Sequence, residues 1–217
     1  MGVSRYLPQL REPQFSHLMT TTHLLFDLGG VIVPWVGIER LMERQGVSRD
    51  TIVEILAQSE NFNDYEAGLC DDLTFTTEMV ELFDMDMRPE AFAALWKSWV
   101  RPPFPNTLET LETLKQNYTI ACLSNTNALH WAHLNKMVQL EDVFDHCFAS
   151  HLMGVAKPAP RSFEIPLEKM SVRASEVLYF DDTMLNVRAA RQEGLQTYHV
   201  DRNKGVLPVL KSLGLKD

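Results

Sequence analysis

The chain has 217 residues, of which 45% are hydrophobic, and a formal net charge of −9 at pH 7. This composition suits a globular protein with a substantial core. The acidic balance argues against binding to nucleic acid or to an anionic membrane, because both need a basic face. No apolar stretch approaches the roughly 20 residues that span a bilayer, and Cys70, Cys122 and Cys147 show no metal-ligand spacing. We therefore expect a cytoplasmic protein, monomeric or homodimeric, that acts on small molecules.

The first part of the chain predicts an extension, a strand and a helical insertion. Residues 1–22 lack the apolar centre of a secretory signal, and we expect them to be flexible. Residues 24–33 form an apolar run into a glycine turn, which predicts a strand. Residues 37–99 carry apolar side chains at helical spacing, and the proline-rich residues 101–105 end that pattern. The predicted helical insertion therefore spans residues 35–104.

Strands and helices alternate in the rest of the chain. Strands are predicted at 118–123, 147–149, 177–180 and 196–200, and helices at 106–114, 127–137, 161–170, 183–193 and 203–213. This succession predicts an α/β core, residues 23–34 and 105–217, built as a Rossmann-like parallel sheet with helices on both faces. Pro166 lies inside the helix predicted at 161–170, and we expect it to kink that helix or to end it early.

Polar side chains follow successive predicted strands. Asp27 ends the first, and Ser124-Asn125, Lys157 and Asp181-Asp182 come after later ones. Each alone is typical of a turn or a helix cap, but the carboxyl ends of parallel strands meet at one ligand-binding edge. Three carboxylates at that edge would repel each other, and Lys157 alone cannot balance them. Mg²⁺ can, because it takes oxygen ligands and commonly bridges carboxylates to a phosphate.

This arrangement indicates phosphoryl transfer. Asp27 is placed to attack phosphorus and form an aspartyl-phosphate. Ser124, the Asn125 amide and Lys157 would hold and neutralise the transferring oxygens, which is where most of the catalytic benefit lies in such reactions.

Four stretches of the chain resemble the ordered motifs of the haloacid dehalogenase-like hydrolase superfamily, namely residues 26–31, 123–125, 154–158 and 180–186. The resemblance covers residues 23–200, and it includes the insertion, which is similar to the small helical cap of that superfamily. The residues of these motifs look most like those of the capped branch that contains bacterial sugar-phosphate phosphatases and the amino-terminal domains of epoxide hydrolases.

The resemblance implies a role for each matching residue. Asp27 matches the nucleophile, Ser124 the phosphate-binding hydroxyl, and Lys157 the lysine that orients nucleophile and phosphate. The implied Mg²⁺ site consists of Asp27, the Gly29 carbonyl, Asp181 and Asp182, with Asn186 supporting the acidic pair.

Gly29 departs from the pattern of most phosphatases of this superfamily, which carry there a second aspartate as general acid and base. Loss of such assistance typically costs about 10²- to 10⁴-fold, unless a residue of the cap or a water molecule replaces it. Members of the resembling branch share this glycine, so we favour a Mg²⁺-dependent phosphomonoester hydrolase acting on a small phosphorylated metabolite such as a sugar phosphate. The alternatives are a 2-haloacid dehalogenase-type hydrolase, whose halide leaves without a proton, and a non-catalytic phosphate-binding protein.

Three residues of the insertion are candidates for substrate contacts: Trp35, Tyr65 and Glu66. Each also has a purely structural interpretation. Trp35 and Tyr65 could pack the insertion against the core, and Glu66 could be a solvated helix residue.

Overall fold

The computed structural model describes residues 20–216. The extension predicted at residues 1–22 therefore lies almost entirely outside the described residues. Its last residue belongs to the sheet region, because the Thr22 amide donates to the Glu176 carbonyl (3.0 Å) and the Thr22 carbonyl accepts from the Thr119 amide (3.0 Å).

A five-stranded sheet forms the centre of the described part of the chain. Its strands are β1 (His23–Phe26), β2 (Thr119–Ser124), β3 (His146–Ala149), β4 (Val177–Asp181) and β5 (Gln196–His199). They lie in the order β3-β2-β1-β4-β5, and every neighbouring pair is parallel. The predicted α/β fold with a Rossmann-like parallel sheet is thus confirmed.

The first strand is shorter than the apolar run that predicted it. The chain leaves the sheet after Asp27 and turns, and the Leu28 carbonyl accepts from the amides of residues 31, 32 and 33. Val31 and Val33 are therefore buried beside the sheet rather than in it. An apolar run predicts burial equally well for a strand and for a tight turn, which explains the difference.

Twelve helices surround the sheet or lie in the insertion among residues 20–216. The insertion contains α1 (Gly37–Gln45), α2 (Arg49–Gln58), α3 (Glu60–Glu66), α4 (Asp72–Leu82) and α5 (Pro89–Ser98). The core contains α6 (Thr107–Leu114), α7 (Ala128–Val138), α8 (Leu140–Val143), α9 (Ser150–Met153), α10 (Arg161–Met170), α11 (Met184–Gln192) and α12 (Leu207–Ser212).

Both faces of the sheet are covered by helices. Leu24 and Phe26 of β1 belong to a hydrophobic cluster with residues of α6, α7 and α12. Leu25, which points to the opposite face, belongs to another cluster with residues of α10 and α11. This alternation follows from the two-residue period of a strand, and it confirms the predicted layers.

Pro166 does not end α10, which continues to Met170. The prediction that the helix would end early at this proline is therefore wrong. Proline removes one backbone donor from the helix interior, but Phe163, Pro166 and Met170 are all buried on the same face. We attribute the continuation of the helix to this packing, which offsets the lost hydrogen bond.

The helical insertion has its own hydrophobic cluster, which includes Phe75, Phe92 and Trp96. Its entry and exit segments pair with each other, because the Val36 amide donates to residue 99 (3.0 Å) and the Arg101 amide donates to residue 34 (2.9 Å). The chain thus leaves the core and returns to it through two adjacent, paired segments. No helix between residues 20 and 216 is long and apolar enough to cross a membrane.

Candidate active site

A cavity of about 390 Å³ lies where the carboxyl edge of the sheet faces the helical insertion. The core contributes most of the polar residues predicted from the strand ends, and the insertion contributes apolar walls. Lining residues that the sequence singled out are Asp27, Gly29, Trp35, Glu66, Ser124, Asn125, Lys157, Asp182 and Asn186. The ends of β1, β2 and β4 therefore converge on one cavity. This is the place where ligands bind in open α/β sheets.

Lys157 is the buried cation at the centre of the site. Its Nζ lies 3.1 Å from Asp27 Oδ1 and 2.8 Å from Asp181 Oδ2, and it donates to the Leu123 carbonyl at 3.0 Å. These three partners use its three donors. Although burial lowers it, the pKa of Lys157 is raised overall, because Asp181 and Asp27 favour the ammonium form. Lys157 is thus a fixed positive charge that orients the Asp27 carboxylate.

Asp181 is fully buried and surrounded by donors. Besides Lys157, its carboxylate accepts from the Tyr179 hydroxyl, from the Thr183 amide (2.7 Å) and from Asn186 Nδ2 (3.1 and 3.3 Å). Asn186 thus stands directly behind the acidic pair. Because most of its lone pairs are already in use, Asp181 has less capacity for a metal ion than its neighbour Asp182.

Asp27 is held at the end of β1 in a single orientation. Its Oδ1 accepts from the Leu28 amide (2.7 Å) and contacts Lys157, and its side chain is almost completely buried. The pKa of Asp27 is raised to about 7, because burial, together with the nearby Asp181 and Asp182, outweighs the lowering effect of Lys157. The carboxylate is thus costly to ionise without a second cation, and an added positive charge would favour the ionised, nucleophilic form.

Asp182 lies opposite Gly30 and Arg202. Its Oδ2 is 3.5 Å from Arg202 Nε, and its Oδ1 accepts from Thr183 Oγ1 (3.2 Å). Burial, followed by the neighbouring Asp181, raises the pKa of Asp182 to about 6. Gly30 has a φ of +72°, and a Cβ there would lie 2.5 Å from Asp182 Oδ2. Glycine is therefore required at position 30 for this close approach.

The carboxylates of Asp27, Asp181 and Asp182 form a set of oxygen ligands. One oxygen from each lies within 4.8 Å of the others. Hard oxygen donors at this spacing suit Mg²⁺, which takes carboxylate ligands. The residues present therefore fit a divalent cation.

Ser124 and Asn125 lie at the end of β2 and differ in what they do. Ser124 Oγ makes only a long contact of 3.4 Å with the Asn125 carbonyl, and it lines the cavity. The Asn125 side chain instead brackets Lys157: its Nδ2 donates to the Lys157 carbonyl and its Oδ1 accepts from the Lys157 amide, both at 2.8 Å. The Asn125 side-chain amide therefore fixes the Lys157 loop, while Asn125 also lines the cavity; its contact with the transferring oxygens stays a prediction.

The three candidate residues of the insertion lie in different places. Trp35 lines the cavity, stacks edge-on against Trp96 (centroids 6.0 Å apart), and has a buried Nε1 without a hydrogen-bond partner among the described residues. Tyr65 does not line this cavity. It is buried in the insertion, where it stacks on Phe75 at 4.2 Å and donates to Asp72 (2.5 Å). The prediction of a substrate contact at Tyr65 is therefore corrected.

Glu66 lines the cavity from the C-terminal end of α3. It is half-buried, and burial raises its pKa to about 7; Lys157 opposes this shift and Asp27 adds to it. Glu66 is therefore not a fully solvated helix residue, because it is half-buried and lines the cavity, where Lys157 and Asp27 influence its pKa.

Polar cavity residues that the sequence analysis did not predict include Arg49, Thr126, His130 and Arg202. Arg202 follows β5 at the same sheet edge, so the rule that found the other strand ends would have found it. Thr126 Oγ1 is buried without a hydrogen-bond partner in the part of the chain described. Nothing in the sequence indicated that Arg49 of α2 would reach the cavity.

His130 carries no positive charge in this site. Burial lowers its pKa to about 4, and its Nε2 lies 2.9 Å from the Trp96 carbonyl, which only a protonated Nε2 can donate to. Its ring is stacked on that of Trp96 at a centroid distance of 5.0 Å. The side chain therefore joins the insertion to α7.

A parallel sheet with a carboxylate cluster at its carboxyl edge defines an α/β enzyme of the doubly wound class. The family model of the haloacid dehalogenase-like hydrolases matches residues 21–194. The chain belongs to this family and is a hydrolase, as the four sequence motifs predicted.

Individual relatives include both chemistries that the motifs left open. The chain is 25% identical over 185 residues to a D-ribitol-5-phosphate phosphatase of Bacteroides thetaiotaomicron, covering 81% of this chain and 90% of the relative. It is 27% identical over 131 residues to the (S)-2-haloacid dehalogenase 4A of Burkholderia cepacia, covering 60% of this chain and 56% of the relative.

A solved structure resembles the fold over most of its length. A haloacid dehalogenase family enzyme from Bacteroides thetaiotaomicron, crystallised with magnesium and inorganic phosphate, superposes with a TM-score of 0.73 at 26% identity. The match covers 87% of this chain and 98% of that enzyme.

Proposed function

We propose that this protein is a Mg²⁺-dependent phosphomonoester hydrolase that acts on a small phosphorylated metabolite through an aspartyl-phosphate on Asp27. The observation that carries the proposal is the triangle of Asp27, Lys157 and Asp181 at the edge of the cavity, with Asp182 beside it. A buried lysine that fixes one carboxylate oxygen leaves the other free to attack.

The Mg²⁺ requirement is supported by the chemistry of the ligands and by a relative. Three carboxylates within reach of one ion are not neutralised by Lys157 alone, and a relative of the same fold was crystallised with magnesium and inorganic phosphate. Asp27 and Asp182 would hold the ion, together with the Gly29 carbonyl and, given its many donors, Asp181 through water. The ion would supply positive charge to the phosphoryl oxygens and to the nucleophile.

The residues of the chain divide the remaining work. Asp27 attacks phosphorus, while Lys157 keeps the Asp27 carboxylate oriented and stabilises the equatorial oxygens. Ser124 donates a hydrogen bond to the same phosphoryl group. Asn125 and Asn186 act indirectly, because they hold Lys157 and Asp181 in place.

The helical insertion, residues 35–104, is proposed to be a cap that selects the substrate and excludes water. A cavity of about 390 Å³ suits a metabolite the size of a pentitol phosphate, and the most complete curated match reported above is a D-ribitol-5-phosphate phosphatase. A sugar phosphate is therefore the substrate class we propose. Trp35 would contact it, because the Trp35 Nε1 is an unpaired donor.

Dehalogenation is the second candidate, because Gly29 removes a proton donor that halide departure does not need. A 2-haloacid dehalogenase also matches part of the chain. Against it, such a reaction has no use for Mg²⁺, and the acidic cluster would then face an anionic haloacid without compensation.

The test is hydrolysis of a panel of sugar phosphates and of p-nitrophenyl phosphate with Mg²⁺, with EDTA and with the Asp27→Asn variant. We expect phosphate release that needs both Mg²⁺ and Asp27. Chloride release from 2-chloropropionate, unaffected by EDTA, would favour the dehalogenase. Phosphate binding without release of product would favour a non-catalytic binding protein.

A further inference from the structure

No residue that was given a role in the proposed reaction supplies a proton to the departing alcohol. Gly29 stands where an acid would be expected, and it offers only backbone atoms. An alkoxide is a poor leaving group, so a phosphomonoesterase gains about 10²- to 10⁴-fold from a positioned acid. This inference rests on the proposed phosphatase function, and it concerns which group supplies that proton.

Most ionisable groups of the cavity are already committed. Asp27 is the nucleophile and Asp182 a metal ligand in the proposed reaction. Lys157 is held by two carboxylates, with a pKa raised above its ordinary range. His130 is neutral and uses its Nε2 hydrogen for a backbone carbonyl.

Two arginines also line the cavity, but neither transfers protons. Arg49 is paired with Glu39 (3.0 Å) and Arg202 contacts Asp182 (3.5 Å). Their guanidinium groups stay protonated at all physiological pH values. Among the ionisable residues that line this cavity, Glu66 is left.

Glu66 is the last residue of α3, where this helix lies next to the core. Tyr65, the preceding residue, is buried and stacks on Phe75. Gly68, just beyond the end of α3, has a φ of +73°, and a Cβ there would lie 2.1 Å from the His151 carbonyl oxygen of α9. The backbone just after α3 thus lies close against α9 of the core, next to the helix end from which Glu66 lines the cavity.

The Glu66 carboxyl is also chemically unengaged. Within residues 20–216 it accepts no hydrogen bond and forms no ion pair. The charged groups that influence it are Lys157 and Asp27. Burial raises the pKa of Glu66 to about 7, so both its protonated and its ionised forms are available near neutral pH, as a group that first gives and then takes a proton requires.

From this placement, we propose that Glu66 is the general acid and base of the reaction, in the role that Gly29 cannot fill. In the first step an Asp27 carboxylate oxygen bonds to phosphorus. The bond from phosphorus to the ester oxygen breaks, and that oxygen keeps the electron pair and takes the proton of Glu66. In the second step a water oxygen bonds to phosphorus and gives a proton to the Glu66 carboxylate, while the bond to Asp27 breaks and restores its carboxylate. Glu66 ends the cycle protonated, as it began.

The test compares Glu66→Gln with the wild type on two substrates of different leaving ability. Ribitol 5-phosphate needs a protonated leaving group, whereas p-nitrophenolate leaves without a proton. In a rapid-mixing experiment with Mg²⁺, we expect the variant to lose about 10²- to 10⁴-fold on ribitol 5-phosphate but less than about tenfold in its first turnover of p-nitrophenyl phosphate. Later turnovers should be slow, because water attack has lost its base, so the variant should show a burst of about one p-nitrophenolate per active site.

Glu60→Gln is the matched control, because Glu60 is exposed at the other end of the same helix. It should behave as the wild type does on both substrates. The ratio of the two first-turnover rates does not depend on how much of the variant is folded, so a partly unfolded Glu66→Gln still gives an answer.

The outcomes separate this inference from the proposed function. If the wild-type protein hydrolyses neither ester, the proposed phosphatase function itself is contradicted. Suppose that the wild type is active but that Glu66→Gln slows the hydrolysis of both esters equally, without a burst, or changes only KM. Either result would overturn the acid and base role and indicate that Glu66 only contacts the substrate.

Discussion

Replacement of the proposed nucleophile should stabilise the metal-free protein. Burial and two neighbouring carboxylates raise the pKa of Asp27 to about 7 in the folded state, against an ordinary value of 3.8 for the unfolded chain. Between these pH values the native state holds a proton that the unfolded chain has released. The free energy of unfolding therefore falls as the pH rises through this window.

The size of the effect follows from the shift. About 3 pH units at ~1.36 kcal/mol each give about 4 kcal/mol of lost stability above pH 7. Asp27→Asn keeps an oxygen for Lys157 and the Leu28 amide but carries no charge. We therefore expect it to be more stable than the wild type by up to about 4 kcal/mol at pH 8 in EDTA, with little difference near pH 4.

Urea unfolding followed by circular dichroism, from pH 4 to pH 8, measures this difference. Mg²⁺ should shrink it, because the ion binds the ionised Asp27 of the wild type and stabilises that protein by mass action. An Asp27→Asn variant that is less stable than the wild type at pH 8 in EDTA, or whose gain does not change with pH, would refute the reasoning.

Three further substitutions test the supporting contacts. Lys157→Met leaves two buried carboxylates without their cation, so the free energy of unfolding in EDTA should be about 3–5 kcal/mol lower than that of the wild type. Equal stability in urea would contradict the ion pairing of Lys157 with Asp27 and Asp181. Gly30→Ala places a Cβ 2.5 Å from Asp182 Oδ2 and should displace this carboxylate. Calorimetry should then show a Mg²⁺ affinity lower by about 10- to 100-fold, and an unchanged affinity would show that Asp182 does not bind the metal. Tyr65→Phe loses the hydrogen bond to Asp72, so the free energy of unfolding should fall by about 1 kcal/mol in a thermal unfolding experiment, with kcat/KM unchanged. A large loss of activity would instead show that Tyr65 contacts the substrate.

The catalytic edge could be predicted from the sequence because of how parallel sheets are built. Apolar strands that each end in a polar residue place those residues side by side, so Asp27, Lys157 and Asp182 were found without knowledge of the fold. The same rule applied to β5 would have added Arg202. The sequence predicted that Asn186 supports the acidic pair, but not that the Tyr179 hydroxyl donates to Asp181, because Tyr179 reaches it from within the same strand.

The residues of the insertion were harder to place. Tyr65 and Glu66 are neighbours in sequence, but successive helical side chains point about 100° apart. One therefore lies in the hydrophobic cluster of the insertion and the other in the cavity. The seven residues of α3 are too few for their periodicity to show which face meets the core.

The roles of the Ser124 and Asn125 side chains at the end of β2 also could not be predicted from the sequence. A Ser-Asn pair after a strand suggests two phosphate donors, but only the fold shows that Asn125 spans to the Lys157 backbone. Likewise, Pro166 signals the end of a helix locally, while the packing of α10 decides otherwise.

The most direct test of the central claim is to identify the covalent intermediate. The protein with Mg²⁺ would be mixed with p-nitrophenyl phosphate, quenched in acid within the first turnover, digested and analysed by mass spectrometry. Our account predicts a phosphoryl group on the peptide that contains Asp27, stable in acid and removed by hydroxylamine, and its absence from Asp27→Asn. Hydrolysis that proceeds at full rate with the Asp27 peptide unmodified, or a phosphoryl group on another residue, would contradict it.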